Sequence, residues 1–137
     1  MKTVFIDAFC LIATNVSRDQ SHEQVHQMMR SLEQEGARFV TTDAVLAEFC
    51  NALSKAALRS KAADTIRLLR SRDDVEIIHI TREIFDRAFA LYESRPDKDW
   101  GLTDCMSFEV MKLQRIKEAI TADHHFGQAG FKTLMWG

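Results

Sequence analysis

Apolar residues recur along the chain with two spacings, one typical of buried strands and the other of amphipathic helices. Short runs rich in β-branched and aromatic residues predict four strands and a short fifth one: TVFI (3–6), ARFVTT (37–42), VEIIHI (75–80), EAITA (118–122) and FKTLMW (131–136). Between them, apolar residues three or four positions apart predict helices. This alternation indicates an α/β fold, with a central, mostly parallel sheet of four to five strands and helices on both faces.

The predicted helices have recognisable ends. The first covers about 21–35 with Gly36 as its stop, and the second is one long helix over 41–59, capped by Thr42 or Asp43. Further helices are predicted at about 62–70, at 82–94 and from Thr103 to about Leu113. The segment SRPDKDWG (94–101) is the main predicted loop.

Composition and charge limit the partners that the chain can have. The 137 residues are 46% hydrophobic and 28% charged, so we expect one domain over 1–137. The formal net charge of −2 gives no general attraction to nucleic acid or membranes, so a polyanion would need a local basic patch or bound cations. We expect a cytoplasmic protein without a membrane partner, because neither a secretory signal nor a long apolar run is evident. Three widely spaced cysteines (Cys10, Cys50 and Cys105) are expected to be free thiols.

Four acidic residues stand among apolar neighbours. Asp7 directly follows the first predicted strand, and Asp123 follows the fourth. The carboxyl ends of parallel strands meet at one edge of a sheet, so these two carboxylates are expected to lie close together. Glu48 lies within a predicted helix, with apolar residues one turn away on either side, and Asp104 begins the helix after the main loop.

Each acid alone has an ordinary structural interpretation. Asp7 and Asp123 could form Asx turns or cap the next segment, Asp104 could be an N-cap, and Glu48 could extend into water. Together, however, four converging carboxylates would repel one another, and no basic residue follows or precedes Asp7 or Asp123 closely. A divalent cation would offset this repulsion, and oxygen ligands favour Mg²⁺ or Mn²⁺. Such a centre at the edge of an α/β sheet indicates phosphoryl chemistry.

The segments around these acids resemble a known family. VFIDAF, TTDAVLAEF, LTDCMSF and TADHHFGQAGF, in this order over nearly the whole chain, are similar to the motifs of PIN-domain ribonucleases, which include the toxins of VapBC-type toxin–antitoxin pairs. The loop KDWGLTDC, with Trp100 before the acid, resembles a bacterial subgroup.

The resemblance implies a three-layer PIN-like fold and a metal-dependent endoribonuclease. Asp7, Glu48, Asp104 and Asp123 would be both catalytic residues and ligands of one or two Mg²⁺ or Mn²⁺ ions. Asp7 would be the central ligand, Asp104 and Asp123 would complete the cage, and Glu48 would orient a water. The resemblance also implies an RNA substrate, a possible cognate antitoxin and a homodimer.

Other residues near the acids leave two interpretations open. Thr103 and Thr121 could orient carboxylates, but a helix cap and a strand residue are the simpler interpretations. Asp99 could add a fifth carboxylate, although a solvated loop residue is the preferred interpretation. His124 and His125 follow Asp123 directly, and one of them could reach a phosphate of the substrate.

The remaining polar groups are more distant in sequence. His22 and His26 are interpreted as an exposed pair, and His79 as a packed residue. Between residues 55 and 72, six basic residues oppose Asp64 alone, and this stretch could follow an RNA backbone, face an antitoxin or form a solvated helical face.

Three other functions are less consistent with the sequence. A haloacid-dehalogenase-type phosphatase needs a second acid two residues after Asp7, where Phe9 stands. A phosphoacceptor receiver needs an acidic pair at the first strand and a late lysine. A PIN-like scaffold that binds RNA or protein without cutting is expected to lack one of the four acids, and all four are present. Two alternatives remain: a catalytically weak or inactive PIN-like module that binds RNA or protein, and an RNA-processing PIN nuclease that is not a toxin.

Overall fold

The computed structural model describes residues 2–16 and 20–135, and its strands form one parallel sheet. The strands are β1 (Thr3–Ile6), β2 (Arg38–Thr42), β3 (Val75–Ile78), β4 (Glu118–Ile120) and β5 (Lys132–Thr133), in the order β3-β2-β1-β4-β5. The predicted α/β fold, with a mostly parallel sheet between layers of helices, is confirmed. The last residue of the predicted fifth strand, Trp136, lies outside the described residues.

The described part of the chain contains seven helices: α1 (Ala8–Asn15), α2 (His22–Gln34), α3 (Asp43–Ala52), α4 (Ala56–Ser71), α5 (Arg82–Ser94), α6 (Leu102–Gln114) and α7 (His124–Gln128). Helices α2, α5 and α6 confirm three predictions, and Gly36 ends α2 with a positive φ of 76°. Among these helices, none has the length and apolar character needed to cross a membrane.

The prediction of one long helix over 41–59 is wrong. Leu53 ends α3 and is buried, and Lys55 begins α4 in an extended conformation. The spacing of apolar residues continues across this break, so periodicity alone merges the two helices. The helix predicted at 62–70 is the second half of α4. Of the two candidate caps, Thr42 is the correct one, since its hydroxyl accepts a hydrogen bond from the Val45 N–H at 3.1 Å.

Two helices, α1 and α7, were not predicted. In α1, apolar residues lie on nearly every side, and the apolar run continues without interruption from β1. A pattern without periodicity does not distinguish a buried strand from a buried helix. In α7, five residues are too few to display a helical period.

An aromatic cluster joins the elements that follow the main loop. Phe108 of α6 packs edge-on against Phe126 of α7 and Trp100 of the loop, with ring centroids 5.0 and 5.2 Å apart. The Trp100 indole N–H also donates to Gln128 Oε1 at 3.0 Å. The loop, α6 and α7 are therefore held as one packed unit beside β4.

The strand order places a topological switch point at β1. From β1 the chain moves outward through β2 to β3, and it later returns to the other side of β1 as β4 and then β5. Open α/β sheets form their sites beyond the carboxyl ends of the strands at such a point. The end of β1 is fixed from the β2 side, because the buried Thr41 hydroxyl donates to the Ile6 carbonyl at 2.8 Å.

Candidate active site

Asp7 is the buried acid at the end of the central strand. The residue is 6% exposed and is the N-cap of α1, although its side chain does not make the usual capping hydrogen bond to the second or third helical N–H. Its Oδ2 accepts a hydrogen bond from the Thr121 hydroxyl at 2.9 Å. Burial raises the pKa of Asp7 to about 7, and repulsion from Asp104 and Glu48 adds to this, while the Thr121 and Ala8 hydrogen bonds oppose it. Asp7 is thus a carboxylate whose charge is poorly compensated by protein groups.

Thr121 connects the ends of β1 and β4. Its hydroxyl donates to Asp7 Oδ2 and accepts a hydrogen bond from the Asp123 backbone N–H at 2.9 Å. The residue is fully buried directly after β4. Thr121 therefore holds the Asp7 carboxylate and also fixes the backbone of Asp123, a role that the sequence left open beside that of a simple strand residue.

Asp104 lies in the first turn of α6, where the N-cap is Gly101 rather than Asp104 itself. Its Oδ2 accepts a hydrogen bond from the Gly101 N–H at 3.1 Å and lies 3.0 Å from Nδ1 of His125. Burial raises the pKa of Asp104, as does the nearby Asp123, while the hydrogen bonds from Gly101 and His125 lower it. The carboxylate has a structural role at the helix start and is also part of the acidic group.

Glu48 is the most exposed of the four acids and projects from α3. Desolvation of its carboxyl group raises its pKa, and so does repulsion from Asp104 and Asp123. A hydrogen bond from the Thr103 side chain opposes the rise. Thr103 therefore contacts an acid, as Thr121 does.

Asp123 is the N-cap of α7, so the capping interpretation of this residue is correct. Its Oδ1 accepts a hydrogen bond from the His125 backbone N–H at 2.9 Å, and its side chain is 31% exposed. Asp123 still belongs to the acidic group, because its negative charge raises the pKa of both Glu48 and Asp104.

The structure thus brings all four predicted acids to one place at the carboxyl edge of the sheet. Each of them lies close enough to at least two others to influence pKa values. Within the described ranges, none of the four forms an ion pair with a lysine or arginine; the salt-bridge partners of Asp104 and Asp123 are histidines. An oxygen-rich donor set with excess negative charge is suited to a hard divalent cation such as Mg²⁺ or Mn²⁺. Asp99, by contrast, is an exposed loop residue.

His125 contacts two of the acids, Asp104 and Asp123, and the sequence analysis does not predict these contacts. Its Nδ1 lies 3.0 Å from Asp104 Oδ2 and 3.2 Å from Asp123 Oδ1, and its side chain is 19% exposed. His124 points outward, with a side chain that is 77% exposed. In the sequence, the position of His125 two residues after Asp123 is the one feature that indicates this contact. The first turn of α7 brings the two residues together.

The other histidine predictions are wrong. His22 and His26 are half-buried, and their rings lie within hydrogen-bond distance of the Ala13 and Thr14 carbonyls, at 2.7 and 3.2 Å. These acceptors belong to the end of α1, a helix that the sequence pattern does not predict. His79 is exposed rather than packed, because the chain leaves the sheet at Ile78 and the ring meets the Asp43 carboxylate at the surface.

The basic stretch contains one partly buried residue, Arg72, and five exposed ones. The Arg72 guanidinium pairs with Asp74 and Glu33 at 2.7 and 2.8 Å and lies over the Phe39 ring. The other five basic residues are exposed: Lys55, Arg59, Lys61, Arg67 and Arg70. Three of them, the arginines, line a surface cavity of about 480 Å³ beside α3 and α4.

The raised pKa of Asp7 predicts that the metal-free protein loses stability as the pH rises. The folded-state pKa of about 7 exceeds the ordinary value of 3.8, so folding binds a proton. The stabilisation is fully present below pH 3.8 and is lost as the pH passes through about 7. In Asp7→Asn, which still offers an acceptor to Thr121, this loss is removed. We expect the variant to gain up to about 4 kcal/mol relative to wild type between pH 4 and pH 8.

The measurement is urea unfolding in excess chelator at several pH values. Asp99→Asn is the matched control, because it neutralises an exposed carboxylate and should follow the wild-type profile. Parallel pH profiles for wild type and Asp7→Asn would contradict this prediction.

Comparisons with known proteins place the chain in a family. A family model of the PIN domain matches residues 4–132. Curated protein sequences give no significant match. The structure is similar to VapC20 of Mycobacterium tuberculosis, a toxin that cleaves the sarcin–ricin loop, with a TM-score of 0.83 and 23% identity over 93% of this chain and 95% of that one.

Two further solved structures share the fold at lower identity. A chain of VapBC2 from Rickettsia felis, bound to a DNA fragment from its promoter, gives a TM-score of 0.70 at 13% identity and covers 96% of both chains. FitAcB from Neisseria gonorrhoeae gives 0.62 at 14% identity, over 97% of this chain and 98% of that one. The family model spans almost all of the sequence, and the chain therefore belongs to the PIN domain family.

Proposed function

We propose that this protein is a Mg²⁺- or Mn²⁺-dependent endoribonuclease and the toxin of a type II VapBC-like toxin–antitoxin pair. The observation that carries the proposal is the convergence of Asp7, Glu48, Asp104 and Asp123 without a lysine or arginine partner among the described residues. Membership of the PIN domain family and the likeness to an RNA-cleaving toxin support it. We place the protein in the cytoplasm, where three free thiols are stable.

In this proposal Asp7, Asp104 and Asp123 hold the cation, and Glu48 completes the site. The bound cation supplies Lewis-acid activation of a water and offsets negative charge on the phosphate. Thr121 fixes the buried Asp7 carboxylate, so that the metal-binding oxygens do not have to be ordered when the substrate arrives. Glu48 is the most exposed acid and is held through Thr103, which suits it to orient the attacking water at the solvent side.

Substrate binding requires positive charge, which the exposed arginines and Lys61 of α4 provide. Arg59, Arg67 and Arg70 share one cavity and have no partner among the acids of the site. We assign this surface to the RNA backbone. An antitoxin that blocks the enzyme by covering the same charges is compatible with this assignment.

Two alternatives differ from this proposal in ways that can be measured. A catalytically weak or inactive PIN-like module that binds RNA or protein would not need four converging acids, so the site favours an enzyme. An RNA-processing nuclease that is not a toxin would have the same site, and it differs only in its partner and in its effect on growth.

Removal of a ligand predicts loss of cleavage with retention of the fold. Asp7→Asn and Asp104→Asn should reduce Mn²⁺-dependent cleavage of total RNA by about 100-fold or more, because the charge that holds the cation is lost. Asp99→Asn should cleave like wild type. Mapping of the cleaved ends should show 5′-phosphate and 3′-hydroxyl groups, and circular dichroism should show that the variants are folded.

Two results would contradict the nuclease proposal. One is undiminished cleavage by Asp7→Asn. The other is wild-type cleavage that continues in excess chelator.

The toxin role predicts an effect on growth. Induced expression of the wild-type chain should arrest bacterial growth, and expression of Asp7→Asn should not, because arrest depends on the site. Co-expression of the product of a small open reading frame immediately upstream should restore growth. Harmless wild-type expression, without such a neighbouring frame, would favour the RNA-processing alternative.

We also propose a homodimer formed through the exposed aromatic face of α5. Phe85, Phe89 and Tyr92 recur every three to four residues and are 43%, 49% and 49% exposed, whereas Ala88 of the same helix is buried. Three large aromatic side chains on one exposed face are typical of an interaction surface.

Light scattering tests this surface. Wild type should have the mass of a dimer, and Phe89→Glu should shift it toward the monomer, because a charge placed in an apolar interface is costly. Leu68→Glu on α4, where the side chain is 57% exposed, is the matched control and should leave the mass unchanged. A monomeric wild-type protein would contradict the prediction.

A further inference from the structure

We infer that His125 is a positioning residue of the metal centre: its ring Nδ1–H holds the Asp104 carboxylate and its backbone N–H holds that of Asp123, so that each keeps one oxygen for the cation. The inference rests on the proposed function, since it requires these acids to bind a cation. It adds a residue that the four-acid site does not include, and it explains how two like charges can be held side by side.

The tautomer of His125 follows from its contacts. Nδ1 lies 3.0 Å from Asp104 Oδ2 and 3.2 Å from Asp123 Oδ1. An ionised carboxylate oxygen only accepts hydrogen bonds, so Nδ1 has to carry the hydrogen, which it donates to Asp104 Oδ2 while it also faces Asp123 Oδ1. A ring nitrogen that donates in this way cannot at the same time be a metal ligand. Nδ1 is therefore engaged by the carboxylates, and the role we assign to the ring is to act through them rather than to bind the cation through this nitrogen.

The other donors contact the same two oxygens. Asp104 Oδ2 also accepts a hydrogen bond from the Gly101 N–H at 3.1 Å, and Asp123 Oδ1 also accepts one from the His125 backbone N–H at 2.9 Å. None of these four contacts involves Asp104 Oδ1 or Asp123 Oδ2. Each carboxylate is thus fixed through one oxygen, and the second oxygen is available to a cation.

The position of the ring is set by packing rather than by the metal. The next residue, Phe126, is fully buried against Phe108 of α6, with ring centroids 5.0 Å apart. At the other end of α7, Gln128 is bonded to Trp100 of the main loop. These contacts hold the start of α7 beside the start of α6, which is where His125 meets both carboxylates.

Loss of the ring hydrogen bond should weaken metal binding. Without the ring donor, Asp104 is no longer held beside Asp123, and the cation itself has to order these two like charges. Substitution of residues that orient metal ligands typically lowers affinity by about 10- to 100-fold. We expect an effect of this size for His125→Ala. The maximal cleavage rate at saturating Mn²⁺ should change less than the Mn²⁺ concentration needed to reach it.

The experiment compares Mn²⁺ affinities of the full chain, measured by titration with electron paramagnetic resonance detection and without RNA. His125→Asn keeps an amide N–H near the position of Nδ1, whereas His125→Gln places it near the position of Nε2. We expect Asn to restore most of the affinity that Ala loses, and Gln to remain weak. His124→Ala is the matched control: it removes the neighbouring imidazole, which is 77% exposed, and should bind like wild type.

The outcomes separate this inference from the proposed function. Unchanged affinity in His125→Ala, or restoration by Gln but not by Asn, overturns the positioning role while wild type still binds and cleaves. Failure of wild type to bind Mn²⁺ better than Asp7→Asn overturns the proposed metal site, and the inference with it. If the alanine variant fails to fold, the comparison of Asn with Gln still decides the matter.

Discussion

A carboxylate at the end of a buried central strand is costly unless nearby groups supply hydrogen bonds or positive charge. Asp7 stands at such a position, and the Thr121 hydroxyl compensates its charge only in part, because the pKa of Asp7 remains raised to about 7. The other acids make this worse rather than better, since Asp104 and Glu48 raise the pKa of Asp7 further. Buried, mutually repelling carboxylates lower the stability of the ligand-free fold, and such clusters are typical of sites that bind a ligand.

The sheet topology accounts for the proximity of residues that are distant in sequence. β1 pairs with β2 on one side and with β4 on the other, so the chain segments after residues 6 and 120 emerge next to each other. The aromatic cluster of Trp100, Phe108 and Phe126 then sets where α6 and α7 begin. Their first turns carry Asp104 and Asp123. Rigid packing behind the site therefore determines its geometry.

The sequence was sufficient for the sheet and for the acids, but not for their supports. β1 and Asp7 can be predicted because a strand pattern ends in an unexpected charge. The four acids among apolar residues, in this order along the chain, then indicate the family. Helix α1 was missed because its apolar residues show no period, and the α3–α4 break was missed because the period continues across Leu53. Contacts such as that of Thr121 with Asp7 join residues more than a hundred positions apart, and no local pattern reports them.

Hydrogen bonds that hold the four acids in place and repulsion between their carboxylates both contribute to the free energy of folding. The donors from Thr121, Gly101 and His125 hold the carboxylates in place, but the pKa values of Asp7, Glu48 and Asp104 remain raised. A cation that binds the folded chain and not the unfolded one adds stability that grows with the logarithm of the ratio of its concentration to its dissociation constant. Because the carboxylates are fixed before the cation binds, less conformational entropy is lost on binding. This loss occurs instead on folding, when the core around Phe108 and Phe126 packs. The stability of the hydrophobic core thus offsets the cost of holding the charges that the proposed chemistry requires.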